Sequence, residues 1–194
     1  MYLVDAALNA AVDAIAGLAD YLSVHTAFST TGTSEDSGGV YAREATAWNA
    51  GASGEATLNG NVDIGVNAIT AKYVGYWSAV SAGTFYGMFP IGSAGIKRGY
   101  ATAVDETFYV EAHGFLAGDI VVFFGDDLPT GITQGTEYTV STGPATDSFL
   151  CDGVTLTDDG NFVVSKLVAE TFGSPGTLRV NGTTSKISAL GLRV

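Results

Sequence analysis

The stretch ITAKYVGYWS, residues 69–78, has the clearest strand pattern in the chain. Its side chains alternate between two faces, as successive residues of a β-strand do. One face carries Ile69, Ala71, Tyr73 and Trp77, and the other carries Thr70, Lys72 and Ser78. The segment TFYGMFPI, residues 84–91, follows a Ser-Ala-Gly turn and is expected to pair with it as a hairpin. This aromatic hairpin predicts a fold that is mainly β.

Turn signals place more strands on both sides of the hairpin. Extended segments are expected at residues 23–27 and 40–48. Asn59-Gly60 separates residues 55–58 from 61–64, and Asn-Gly suits a two-residue type I′ turn because both positions need a positive φ. A second Asn-Gly, at 181–182, is expected to join residues 177–180 to 184–190 as another hairpin.

The N-terminal segment has the spacing of an amphipathic helix. Apolar residues recur in steps of four and three at Val4, Leu8, Ala11, Ile15, Leu18 and Leu22. The stripe lasts less than three heptads, which is short for a coiled coil. We therefore expect one helix that lies on a sheet.

The second half of the chain alternates short apolar runs with turns, which is typical of a small barrel or sandwich. The runs are residues 107–111, 120–124, 138–141, 148–151 and 162–165. The run IVVFF at 120–124 is apolar on both faces, so we expect it to be covered on both sides.

The sequence thus predicts a β-sandwich domain with one N-terminal helix and a small β-barrel-like module. The sandwich would comprise residues 1–98 and 168–194, with the module, residues 99–167, inserted into it. Insertions succeed where a loop tip is exposed. Two consecutive domains, the second including the final hairpin, remain the alternative.

Composition limits the classes of function. The 194 residues include 8 basic and 20 acidic side chains, a formal net charge of -12. Such a surface repels phosphate backbones and anionic lipids, so neither nucleic acid nor membrane is an expected partner. The N-terminus lacks the positively charged region of a signal peptide, and no apolar run approaches 18 residues.

The residues that usually perform chemistry are few. The two histidines, His25 and His113, are far apart, and Cys151 lies in an apolar run where a buried, inert thiol is expected. No phosphate-binding glycine loop or nucleophile elbow is present in the sequence. The pairs Asp126-Asp127 and Asp158-Asp159 lie in turn-like stretches, where solvated turns and an ion site both remain open. We expect no catalytic activity, no cofactor and no metal.

Apolar side chains beyond the needs of one sandwich suggest self-association, which usually produces closed symmetry. The candidate interface residues are Val4, Leu8, Ile15, Tyr76, Phe85 and Tyr86. Tyr76 and Trp77 must point to opposite faces, so we assign Trp77 to the core and Tyr76 to the subunit interface.

The order of several motifs resembles small accessory structural proteins of tailed bacteriophages, especially those of actinobacteria. After a short helix come LSVHTA (22–27), GVYAREA (39–45), Trp48, VGYWSA (74–79) and GTF (83–85). A second group, EAHGF (111–115), GDIV (118–121), LPTGI (128–132) and YTV (138–140), resembles a small β-module of phage virion proteins.

The resemblance implies a virion structural protein, on the head surface or in the tail, with major capsid or tail proteins as partners. It also implies a homotrimer. A long fibre would need repeats that this chain lacks, so capsid decoration is favoured over a minor tail or fibre-tip protein. A carbohydrate-binding module for a host-surface glycan is the alternative from another class. An enzyme, as a glycosidase, is a third.

Overall fold

The computed structural model describes residues 3–92 and 95–188. The chain divides into two compact units, Met1–Phe89 with Thr171–Val194, and Pro90–Glu170. In chain order the elements are α1 (Asp5–Ala16), β1 (Tyr21–His25), β2 (Glu44–Ala45), β3 (Glu55–Thr57), β4 (Val62–Val66), β5 (Thr70–Ala71), β6 (Tyr73–Trp77), β7 (Phe85–Pro90), β8 (Ile96–Thr102), β9 (Thr107–Tyr109), β10 (Ile120–Phe124), β11 (Glu137–Thr139), β12 (Ser148–Phe149), β13 (Gly160–Leu167), β14 (Glu170–Thr171), β15 (Gly176–Val180) and β16 (Lys186–Ser188). The predicted fold class is confirmed.

The aromatic hairpin forms half of a four-stranded sheet with the order β2-β1-β6-β7. Strand β6 is antiparallel to β1, with Tyr21 opposite Trp77 and His25 opposite Tyr73. Tyr73, Val74 and Trp77 are all buried, so this central strand is covered on both faces. The Ser78 amide donates to the Thr84 carbonyl at 3.1 Å and begins the predicted turn to β7.

The two Asn-Gly hairpin predictions are wrong. Strand β4 pairs with β15, and β3 pairs with β16. Residues 55–66 therefore run antiparallel to residues 176–188 as one ribbon, and Gly60 and Gly182 of the two Asn-Gly dipeptides lie side by side in it. A Cβ on Gly182 would lie 2.2 Å from the Gly60 carbonyl oxygen, so the two backbones nearly touch. Residues 189 and 190 of the predicted last strand lie outside the described residues.

The helix lies on this ribbon, as expected, but with a different face. Its buried side chains are Leu8, Val12 and Ala16, which pack with Ala56 of β3. Val4, Ile15 and Leu18 are exposed. The buried face recurs in steps of four and not in the predicted steps of four and three, and Leu18 and Leu22 lie beyond the end of α1 at Ala16.

The second unit is a curled six-stranded sheet with the order β11-β10-β13-β8-β9-β12. All five strands expected here are present. Beyond its two edge strands, Val140 bridges Cys151, and the Ser141 amide donates to the Leu150 carbonyl at 2.9 Å. This contact closes the sheet into a barrel-like form around a core of phenylalanines: Phe108, Phe115, Phe123, Phe149 and Phe162.

Two details of this unit bear on the predictions. Val121, Val122 and Phe123 are completely buried, which confirms that β10 is covered on both sides. The second unit begins at Pro90, and β8 pairs with β13 from Ile96 onward, so this pairing starts before the predicted module boundary at residue 99. No helix in the described residues is long and apolar enough to cross a membrane.

Candidate functional site

The histidine at the end of β1 belongs to a buried polar network. The Ser23 hydroxyl lies 2.7 Å from His25 Nε2, and His25 Nδ1 lies 3.2 Å from the Ser34 hydroxyl. The Trp77 indole N–H donates to the Ser23 oxygen at 3.0 Å. Every group is satisfied when Ser23 donates to Nε2 and the Nδ1–H donates to Ser34, which describes a neutral imidazole.

A serine hydrogen-bonded to a histidine is also part of many nucleophilic catalytic sites, but this pair is not accessible to solvent. Ser23 and His25 have no exposed surface. On the neighbouring strand, a Cβ on Gly75 would lie 2.5 Å from His25 Nε2 and 2.6 Å from the Ser23 oxygen. Burial is the main cause that lowers the pKa of His25 to about 4, with a smaller opposing effect from Glu35. The geometry therefore gives the pair a structural role.

The second histidine lies in the core of the other unit. His113 Nδ1 accepts a hydrogen bond from the Phe115 amide at 2.8 Å, and Nε2 lies 3.2 Å from the Ser148 carbonyl. Its ring contacts Phe149, with the centroids 5.1 Å apart. These contacts tie the loop after β9 to β12.

A group of charged and polar side chains borders an open cleft of about 430 Å³ in the first unit. Arg43 forms a two-point ion pair with Glu35, in which Nε and Nη2 each lie 2.7 Å from a carboxylate oxygen. The Tyr41 hydroxyl donates to the same carboxylate at 2.6 Å. The guanidinium also covers the Trp77 ring at 3.5 Å and donates to the Ala79 carbonyl.

The side chain of Arg43 thus connects the loop before β2 to the turn between β6 and β7. Its side chain and that of Glu35 are 9% and 16% exposed, so most of their charge is already paired inside the protein. The next acid, Asp36, accepts hydrogen bonds from the amide and side chain of Asn67. The cleft holds no charged group in this network that lacks a partner.

The acidic pairs hold turns. Asp158 accepts from the Thr130 hydroxyl at 2.8 Å, Asp159 accepts from the Ala103 amide at 2.9 Å, and Asp127 accepts from the Asn161 side chain at 2.8 Å. No three His, Cys, Asp or Glu residues of 3–92 and 95–188 form a possible metal cluster. Cys151 is buried as expected, and burial raises the pKa of its thiol to about 12.

The structure separates the six candidate interface residues. The assignment of Leu8 to a subunit interface is wrong, because its side chain faces the ribbon and is completely buried within its own chain. Tyr76 and Phe85 are half-buried, Tyr76 against Phe89 and Phe85 against Trp77. Burial raises the pKa of Tyr76. Val4, Ile15 and Tyr86 remain exposed.

Sequence reasoning missed a second aromatic site, on β8 and β9. Tyr100 and Tyr109 stack with ring centroids 5.0 Å apart and an interplanar angle of 13°. Tyr100 is 51% exposed. In the segment IKRGYAT, residues 96–102, every second residue from Ile96 to Tyr100 is exposed and Ala101 is buried.

No protein-family model matches the chain, and no curated protein matches it. Among solved structures, the phage phi92 endosialidase is similar over 84% of this chain and 20% of its own, with 14% sequence identity and a TM-score of 0.28. The chain thus spans about a fifth of that protein's length. At this TM-score the two folds are not shown to be the same, so the likeness says nothing of what this chain does.

Proposed function

We propose that this chain is a non-enzymatic structural protein of a tailed-phage virion, and that it decorates the capsid surface and stabilises the shell. The observation that carries the proposal is where the resembling motifs lie. Residues 22–27 include most of β1, residues 39–45 include β2, residues 74–79 include most of β6, and residues 83–85 lead into β7. These four strands form one sheet, so the resemblance follows a folding unit.

The use of the polar residues supports a structural role. His25, His113, Arg43 and Glu35 each hold neighbouring segments together. Trp48 of the same motif series packs against Tyr76, with ring centroids 6.1 Å apart, and donates to the Ala19 carbonyl. In this proposal, the polar contacts make the folded chain rigid, as a component of a capsid shell needs to be.

Labelling of intact virions with an antibody to this protein tests the location. Label spread over the head is the expected result. Label confined to the tail would overturn capsid decoration in favour of a minor tail or fibre-tip protein. Absence of label from purified virions would overturn the virion assignment itself.

We also propose a homotrimer whose interface includes the exposed Ile15 and Tyr86. Light scattering on the purified chain at micromolar concentration should give three times the mass of 19.9 kDa. Ile15→Asp should lower that mass, because a charge in an apolar contact is costly. Val80 is similarly exposed and is not a candidate interface residue, so Val80→Asp should leave the mass unchanged. A monomeric native chain would contradict the prediction.

A further inference from the structure

The outer face of the second unit carries an ordered row of polar and aromatic residues. Tyr100 of β8 is opposite Asn161 of β13 on one side and Tyr109 of β9 on the other. Tyr109 is in turn opposite Ser148 of β12. The row therefore crosses four neighbouring strands on the face opposite the buried Ala101 and Phe162.

Of the two tyrosines, Tyr109 is fixed by a hydrogen bond, and Tyr100 stacks on its ring. The Tyr109 hydroxyl donates to Asp105 Oδ2 at 2.7 Å. Asp105 is itself fixed, since Oδ1 accepts from the Thr107 amide and from the Thr102 hydroxyl. These bonds lower the pKa of Asp105, so the carboxylate stays charged near neutral pH. A rigid aromatic pair loses little conformational entropy on binding.

We propose that this row, centred on Tyr100 and Tyr109, binds a neutral glycan. An exposed aromatic ring covers the C–H face of a sugar, and adjacent carboxylate and amide groups accept or donate hydrogen bonds to its hydroxyls. Asp105, which accepts from the Tyr109 hydroxyl, supplies the carboxylate beside the rings, whereas the Asn161 amide donates to Asp127 and fixes the neighbouring turn.

The charge of the region selects among ligands. Asp105, Glu106 and Asp159 lie on the loops that border the row and outnumber the exposed Arg98 on the same face of β8, and the whole chain has a formal net charge of -12. Phosphate-rich polymers and sialylated or uronic-acid glycans are repelled by this field. A neutral hexose or pentose polymer is not. The inference goes beyond the virion role and does not depend on a head or tail location.

Binding of the full-length protein to an array of immobilised oligosaccharides tests this site. The array includes glucose-, galactose-, mannose- and arabinose-based chains together with sialylated and uronic-acid chains. We expect binding to at least one neutral chain, confirmed by calorimetry with the soluble oligosaccharide. Binding of anionic chains alone, or of no chain, would overturn the proposal.

Substitutions then locate the binding surface. Tyr100→Ala should weaken binding at least tenfold, whereas Val80→Ala, which changes a similarly exposed side chain of the other unit outside the proposed trimer interface, should not. Tyr109→Phe keeps the ring but removes the bond to Asp105, and should weaken binding several-fold. Equal affinity of Tyr100→Ala and the native protein would overturn the site. Unchanged incorporation of Tyr100→Ala into virions separates this outcome from a failure of the virion proposal.

Discussion

At the scale of single residues, His25 makes the folded state sensitive to acid. Burial lowers its pKa from 6.5 to about 4, so the unfolded chain binds a proton more readily than the folded chain. Stability from this residue is complete above pH 6.5 and is lost as the pH falls toward 4. A difference of this size corresponds to about 3 kcal/mol.

Urea unfolding between pH 4 and 7 measures this loss. As the pH falls from 7 to 4, the free energy of unfolding of the native protein should decrease more than that of a His25→Gln variant. The difference between the two decreases should be about 3 kcal/mol. The variant is expected to be less stable at pH 7, because the network with Ser23 and Ser34 is broken, and to have a flatter pH profile. Parallel profiles for the two proteins would contradict the prediction.

The polar network of His25 and Ser23 leaves no room for a side chain at position 75. A Cβ there would overlap His25 and Ser23, whereas a Cβ on Gly173 would meet no atom within 4 Å. Gly75→Ala should cost about 1–3 kcal/mol or more through overpacking of the core. Gly173→Ala is the control and should leave the thermal unfolding midpoint nearly unchanged. Similar midpoints for both variants would show that the strands separate easily.

At the scale of elements, the strands were predictable where a short pattern decides them. The run 120–124 is apolar on both faces, and β10 is buried on both. The alternation in residues 69–78 predicted one strand, which the structure divides into β5 and β6 in two different sheets. Local periodicity is sufficient here because each residue's environment follows from its own strand.

Pairing and exposure were less predictable, because they depend on distant residues. Asn59-Gly60 favours a hairpin locally, but β3 and β4 find their partners more than a hundred residues later, at β16 and β15. The same ribbon buries Leu8 and Val12 and leaves Ile15 exposed. The row centred on Tyr100 and Tyr109 depends on the register of four strands. A local sequence pattern does not give that register, so the row was not predicted.

The ribbon predicts unequal effects for neighbours in β15. Leu178 is buried opposite Ile64, and Leu178→Ala should cost about 2–5 kcal/mol through lost contacts and a cavity. Arg179 points to the other face, where it forms an exposed ion pair with Asp63. Arg179→Gln should change the urea midpoint little, because solvent screens such pairs. An equally mild effect of Leu178→Ala would mean that β15 contributes little to the unit.

At the scale of the whole molecule, both ends of the chain contribute to the first unit. Strands β15 and β16 supply one side of the ribbon, and Ile187 packs near α1. A chain of this topology must keep its two ends together while the middle forms the second unit. Near the two ends of the second unit, after β7 and after β13, the chain segments are in contact: the Val168 amide donates to the Ile91 carbonyl at 2.6 Å.

This meeting point predicts that the middle of the chain can be removed. Replacement of residues 92–167 by a short Gly/Ser linker should leave a first unit that unfolds cooperatively, because the linker spans two backbones already in hydrogen-bond contact. The thermal transition and the near-ultraviolet circular dichroism of its buried Trp77 provide the measurement. A matched variant that also lacks residues 171–188 should not fold, since β3 and β4 then lose their partners. An unfolded remainder beside a stable fragment of residues 100–194 would instead support two consecutive domains.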